Sequence, residues 1–256
     1  MGTHYEEFKE RLVQEKGVAT ATVVQGHDNL GARLLILPDK STRGSLGNAE
    51  LERLVVGDAE RAIWNGAART YTYNPASATD PQAYEVFIEG FPPPPRLIIV
   101  GAGHIAIPLT TFAKTLNYRV IVVDARSAFA TRERFPHADE IIVEWPDTYL
   151  EQADLNPSTA VAVLTHDPKF DEPTLKVVLN HEVAYVGAIG SRKTGLERNE
   201  RLMRQGLNAE QIGQIHGPIG LDLGGKAPEE MALAIMAEIV ASHYGKNFSR
   251  ANGNAH

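Results

Sequence analysis

Five short apolar runs in the second part of the chain, each followed by a stretch of helical spacing, constrain the fold more than any other feature. The runs fall at residues 96–100, 119–123, 140–143, 160–164 and 184–188. Helical patterns lie at 105–116, 147–153 and 172–180, with 193–205 and 228–243 following. A strand that is apolar along its whole length needs cover on both faces, and strand–helix alternation provides that in a parallel sheet. The expected fold class is therefore α/β, with a C-terminal Rossmann-like, doubly wound parallel sheet.

Ahead of this region, "EGFPPPPRLIIV" places four prolines, Pro92 to Pro95, in a row. Such a run continues neither a helix nor a central strand and adopts a stiff extended form. It predicts a domain boundary, with an N-terminal α+β domain over 1–91, a linker over 92–95 and the Rossmann-like domain over 96–246. In the first part, "GVATATVVQG", "GARLLILPD", "ARTYTYN" and "AYEVFIEG" read as strands. Helices are expected at 5–15 and around Leu51, Leu54, Val55, Ala59, Ala62 and Ile63, whose spacing is helical. The tail, 247–256, is expected to fray.

Composition removes several function classes. No cysteine is present, which excludes disulfides, thiolate metal sites and cysteine nucleophiles, and suits a reducing cytoplasm. The net charge of −7 argues against a nucleic-acid partner, because such affinity comes mainly from basic residues on phosphates. No apolar run reaches the ~20 residues of a membrane helix, and the polar opening "MGTHYEEFKERL" is unlike a signal or transit peptide. The histidines show no H-x-x-x-H or H-E-x-x-H spacing, so no metal site is expected.

The candidate site begins at "RLIIVGAGHIAIPL". Gly101 permits a tight turn after the first strand, and Gly103 lets a phosphate approach the backbone at a helix N-terminus. Ala106 fills the third, small-residue position of the fingerprint. His104 sits within the turn, where it can touch an anion. Asp124 ends the second strand at the spacing of a ribose-hydroxyl acceptor, and Arg126 either pairs with it or takes a further phosphate. His166 and Asp167 follow the fourth strand, where open α/β sheets bind ligands. After the fifth strand, Gly190 turns the chain, Ser191 is placed to cap a helix, and Arg192 with Lys193 opens it. Cations there oppose the helix dipole unless an anion is near. "QIHGPIGLDLGGKAPEE" adds His216 and Asp222 as candidates for the same cleft. The last helix is apolar almost all round, which marks core or an interface.

Taken together, "IIVGAGHIAIPL", "VVDARSAFATRERFPHAD", "VLTHDPKFDEPTL", "YVGAIGSRKT" and "IHGPIGLDLGGKAPEEMALAIMAEI" resemble the xanthine dehydrogenase accessory-factor (XdhC/CoxI) family in order and spacing. "GVATATVV", "GARLLI" and "GSLGNAELERLV" carry a weaker likeness in the first domain. The resemblance implies an accessory protein that binds the molybdenum cofactor, or its dinucleotide form, and delivers it to a molybdenum hydroxylase apoenzyme. Gly101, Gly103 and His104 would then hold phosphate, with Asp124 and Arg126 near a ribose or pterin edge. His166, Asp167, Gly190, Ser191, Arg192 and Asp222 would line the rest of the crevice. A cysteine desulfurase is an implied further partner, and a homodimer is the expected state. One departure stands out: where the family commonly reads Gly-Gly-Cys-Leu-Glu, this chain has Gly47-Asn48-Ala49-Glu50-Leu51-Glu52. Sulfur relay through a persulfide of this chain is therefore excluded. The competing expectation is an NAD(P)-dependent oxidoreductase, with His166 as its proton donor.

Overall fold

A computed structural model of the chain describes residues 3–26, 28–75 and 83–246. The expected fraying tail lies outside the described residues. The chain divides between Pro93 and Pro94 into two compact units.

The first unit contains α1 (Thr3–Val13), β1 (Val18–Gln25), β2 (Arg33–Ile36), β3 (Thr42–Gly44), α2 (Ala49–Asn65), β4 (Ala68–Tyr73) and β5 (Tyr84–Phe91). Its five strands pair antiparallel in the order β3-β2-β1-β5-β4. Alternation sets the core: in β5, Tyr84, Val86 and Ile88 are buried while Glu85, Phe87 and Glu89 lie on the other face. Leu51, Val55, Ala59, Ala62 and Ile63 of α2 pack on the buried face. Strand β3 carries no apolar pattern, only Thr-Arg-Gly at the sheet edge. Its existence depends on pairing with β2 rather than on its own residues.

The second unit contains β6 (Arg96–Val100), α3 (Ala106–Thr115), β7 (Arg119–Val123), β8 (Glu140–Ile142), α4 (Pro146–Gln152), β9 (Thr159–Val163), α5 (Pro168–Val178), β10 (Tyr185–Ala188), α6 (Arg192–Arg204), α7 (Ala209–Gly213), β11 (Ile215–His216) and α8 (Pro228–His243). Six parallel strands lie in the order β11-β10-β9-β6-β7-β8, the Rossmann strand order. Successive residues of each strand enter opposite cores. Leu97, Ile99, Val120 and Val122 join α3 and α8 on one face. Ile98, Val100, Ile121 and Val123 join α4, α5, α6 and α7 on the other. Continuous apolar strands are the consequence of that double cover.

Helix α5 starts four residues earlier than its apolar spacing suggests. The Asp167 carboxylate accepts the Lys169 N–H at 3.0 Å, and Pro168 occupies the first helical position, where its missing N–H is harmless. Two short elements, α7 and β11, are not predicted by the apolar spacing of the chain. Helix α7 nevertheless carries a legible signal, the reciprocal capping of Asn208 and Gln211.

Candidate functional site

The order of strands reverses between β6 and β9, so the loops after their carboxyl ends diverge and open a crevice. On one side is the turn from β6 to α3. Gly101 has φ +101°, and a Cβ there would lie 2.8 Å from Thr165 Cγ2 and 3.1 Å from the Leu164 carbonyl carbon. Glycine at this position is therefore required by the fold itself. Gly103 differs: its φ is not in the left-handed region and a Cβ would meet nothing within 4 Å. The space beside it is open. No side chain caps α3, and the N–H groups of Gly103, His104 and Ile105 find no acceptor among the described residues. Unpaired donors at a helix N-terminus favour an anion.

Asp124, 3% exposed, braces this turn. Its Oδ2 accepts the Ala102 N–H at 2.8 Å and Arg126 Nη2–H at 2.7 Å, while Oδ1 accepts the Arg126 backbone N–H and Nε–H, each at 2.9 Å. Burial opposes its charge, but the hydrogen bonds from Arg126 and Ala102 outweigh burial and hold it below the usual carboxylate range. Both oxygens are engaged by the protein. Arg126 also lies 4.5 Å from the centre of the Phe129 ring.

On the other side, a cavity of about 400 Å3 opens between the first turns of α5 and α6. Of the residues expected in the site, His166, Gly190 and Ser191 line it. His166 is a non-glycine residue at φ +62°, a conformation found disproportionately at functional positions. Ser191 caps α6, its Oγ accepting the Thr194 N–H at 3.1 Å. Asp167 is engaged as the α5 cap. Arg192 is exposed at the start of α6, and Asp222 is exposed in the loop after β11; neither lines the cavity. His216 belongs elsewhere: its Nδ1 is 3.4 Å from Glu238 Oε1, and Glu238 Oε2 accepts the Tyr185 hydroxyl at 2.6 Å and the Gly220 N–H at 2.7 Å. Burial works against the Glu238 charge, yet His216, Tyr185 and Gly220 bring its pKa down to about 2. That network fixes the β11 loop onto α8.

The cavity also gathers four charged residues that the motifs do not single out. Asp171 and Glu172 come from α5, Arg198 and Arg201 from α6. Glu172 pairs with Arg201 and accepts Gln205 Nε2–H at 2.7 Å. Asp171, 6% exposed, accepts the Thr165 hydroxyl, and Arg198, 4% exposed, donates from Nη1 to the Ile189 carbonyl at 3.3 Å. Burial raises the Asp171 carboxyl and lowers the Arg198 guanidinium. "FDEP" and "LERNER" hold a signal, since charged residues at buried helical positions need partners, but helical spacing alone places such residues on a solvated face.

In the first unit, the position of the missing family cysteine is a helix start. The Asn48 side chain accepts the N–H groups of Glu50 and Leu51 at 3.0 and 3.1 Å, and Glu52 accepts the Ser45 hydroxyl and the Leu46 N–H at 2.6 and 2.7 Å. Among the described residues, no group of three histidine, aspartate or glutamate side chains is arranged to hold a metal ion, and no helix is long and apolar enough to cross a membrane.

Two family models match the chain: the XdhC Rossmann domain over residues 97–239, and the XdhC and CoxI family over residues 12–74. A probable xanthine dehydrogenase subunit of Bacillus subtilis (strain 168) is 33% identical over 159 residues, 62% of this chain and 46% of that protein. The "Molybdenum cofactor insertion chaperone PaoD" of Escherichia coli (strain K12) is 26% identical over 155 residues, 60% of this chain and 42% of that protein. The matches thus span under half the length of these relatives. A crystal structure described as a xanthine dehydrogenase from Bacillus halodurans shares the fold, with a TM-score of 0.54 and 21% identity over 96% of this chain and 97% of that one.

Proposed function

Because this chain belongs to the XdhC/CoxI family, we propose that it binds the molybdenum cofactor, or its dinucleotide form, and hands it to a molybdenum hydroxylase apoenzyme. The observation that carries this reading is Gly103. The fold does not require a glycine there, and the open space beside it adjoins the uncapped N-terminus of α3. Phosphate is the group that uses both features. Gly101, Gly103 and His104 would hold that phosphate, and Arg126 would stand near the ribose or pterin edge. His166, Gly190 and Ser191 would close the far side, with Asp167, Arg192 and Asp222 at the approach. When bound, the cofactor supplies the molybdenum centre of the client enzyme; this chain's residues bind, orient and shield it. With no thiol in the sequence, sulfur would come from a cysteine desulfurase partner.

The competing NAD(P) oxidoreductase reading draws on the Rossmann strand order, but needs a free ribose acceptor after β7. Asp124 has both oxygens engaged, which favours the accessory role. We place the protein in the cytoplasm and take a homodimer as its working state. An exposed apolar groove between α3 and α8, lined by Leu116, Leu233 and Tyr244, supports such a second copy.

The test is anaerobic equilibrium gel filtration with molybdenum cofactor, using NAD, NADP and cytidine diphosphate as competitors. The expected result is stoichiometric retention that Gly103→Val weakens at least tenfold. Tight NAD(P) binding without cofactor retention would overturn the reading.

A further inference from the structure

The cavity between α5 and α6 holds two buried charges whose hydrogen-bonding capacity is incompletely used. Asp171 accepts one hydrogen bond, from Thr165 to Oδ1; Oδ2 accepts none among the described residues. Arg198 donates from Nη1 to Ile189, while its Nε is buried with no acceptor among the described residues. Glu172 and Arg201 pair with each other, and among the described residues neither makes a hydrogen bond to Asp171 or Arg198. Buried polar groups are normally satisfied; Arg198 Nε is sealed from the cavity, so a partner from outside the chain would meet Asp171 and the part of the Arg198 side chain that lines the wall.

The chemistry of that partner follows from the pair. An anion would meet Asp171, and a cation would meet Arg198, so neither suits the site. A neutral planar edge bearing N–H donors beside a carbonyl oxygen answers both at once. We propose that this cavity recognises the 2-amino-4-oxopyrimidine edge shared by pterins and guanine. In this arrangement Asp171 accepts from the ring N–H and amino group, and the Arg198 guanidinium donates to the ring oxygen. About 400 Å3 falls within the ~300–1,000 Å3 of small-molecule pockets. The pterin source rests on the cofactor reading above; the guanine source does not.

Titration of the full chain with pterin, 2,4-dioxopteridine, 2,4-diaminopteridine and guanosine, followed by ligand fluorescence or calorimetry, tests this. Pterin should bind at least tenfold more tightly than the two pteridines lacking one element of the edge, because each leaves a buried group unpaired. Asp171→Asn should remove that preference while near-ultraviolet circular dichroism stays as in the wild type and unfolding remains cooperative. Guanosine bound in preference to pterin, and lost in Asp171→Asn, would keep the edge recognition and assign its source to guanine. Equal binding of all three pteridines, or wild-type selectivity in a folded Asp171→Asn protein, would overturn the inference. If Asp171→Asn does not fold, the ligand series on the wild type decides alone. Cofactor retained equally by wild type and Asp171→Asn, with unselective pteridine binding, would sink this inference and leave the cofactor reading standing. Selective pterin binding without cofactor retention would do the reverse.

Discussion

The turn from β6 to α3 and the cavity between α5 and α6 lie at the same end of one sheet, and each has a buried carboxylate at its centre. Asp124 is 3% exposed and Asp171 6%, so burial alone does not distinguish them. Asp124 accepts four hydrogen bonds from Ala102 and Arg126, whereas Asp171 accepts one, from Thr165. The first carboxyl is therefore held below the usual range and the second is raised above it. The comparison separates a brace from a recognition group. On the proposed reading, a satisfied carboxylate shapes a backbone cradle that would touch the ligand in its place, while an unsatisfied one would touch the ligand itself.

The largest effect expected from this contrast is on stability. Asp124→Ala leaves the Ala102 N–H without an acceptor and Arg126 without its partner, at a cost of about 3 kcal/mol in urea unfolding. Asp171→Asn should cost less than about 1 kcal/mol, because it replaces a charge that burial disfavours. Comparable losses at the two positions would break the distinction. Next in size is the pair of glycines. Gly101→Ala meets Thr165 and Leu164 in a backbone conformation that disfavours a side chain, and should cost about 2 kcal/mol. Gly103→Ala should stay within about 0.5 kcal/mol of wild type in the same measurement while lowering cofactor retention in gel filtration. A stability loss at Gly103 equal to that at Gly101 would mean that the fold, and not a ligand, needs both glycines.

The same contrast explains what is legible in the sequence. Strands β6 and β7 run over the residues their apolar patterns suggest, because cover on both faces writes itself into every position of the strand. The β6–α3 turn is legible for a related reason: it works through backbone, and glycine is the one residue whose presence reports backbone geometry. The ambiguity of Arg126, between pairing with Asp124 and taking a phosphate, resolves in the structure to the pair. Arg198 and Asp171 are not legible. Their burial arises from α5 and α6 packing side by side across β9 and β10, a long-range fact that charges at helical spacing do not encode. Strands β3 and β11 escape a pattern-based reading because two or three residues carry no period. Helix α7 escapes its apolar spacing, although the capping pair of Asn208 and Gln211 marks its start.

The smallest effect is on pH dependence, and its sign differs between the two carboxylates. Asp124 has a folded-state pKa below the ordinary 3.8, so its contribution is present above that value and is lost as pH falls toward the folded-state pKa. Asp171 has a folded-state pKa above 3.8, so its contribution is present below 3.8 and is lost as pH rises through the folded-state pKa. Unfolding free energies of wild type and Asp171→Asn, measured from about pH 3.5 to 7, should therefore diverge, with the wild type losing stability relative to the variant as pH rises. Asp124→Asn should differ in the opposite sense, its disadvantage shrinking as pH falls below about 4. Saturating pterin should flatten the Asp171 difference, because ring N–H donors stabilise the ionised carboxylate as the four donors around Asp124 already do. A difference between wild type and Asp171→Asn that stays flat across this range without ligand would make Asp171 a second satisfied brace, and remove the ground for a recognition edge in the cavity.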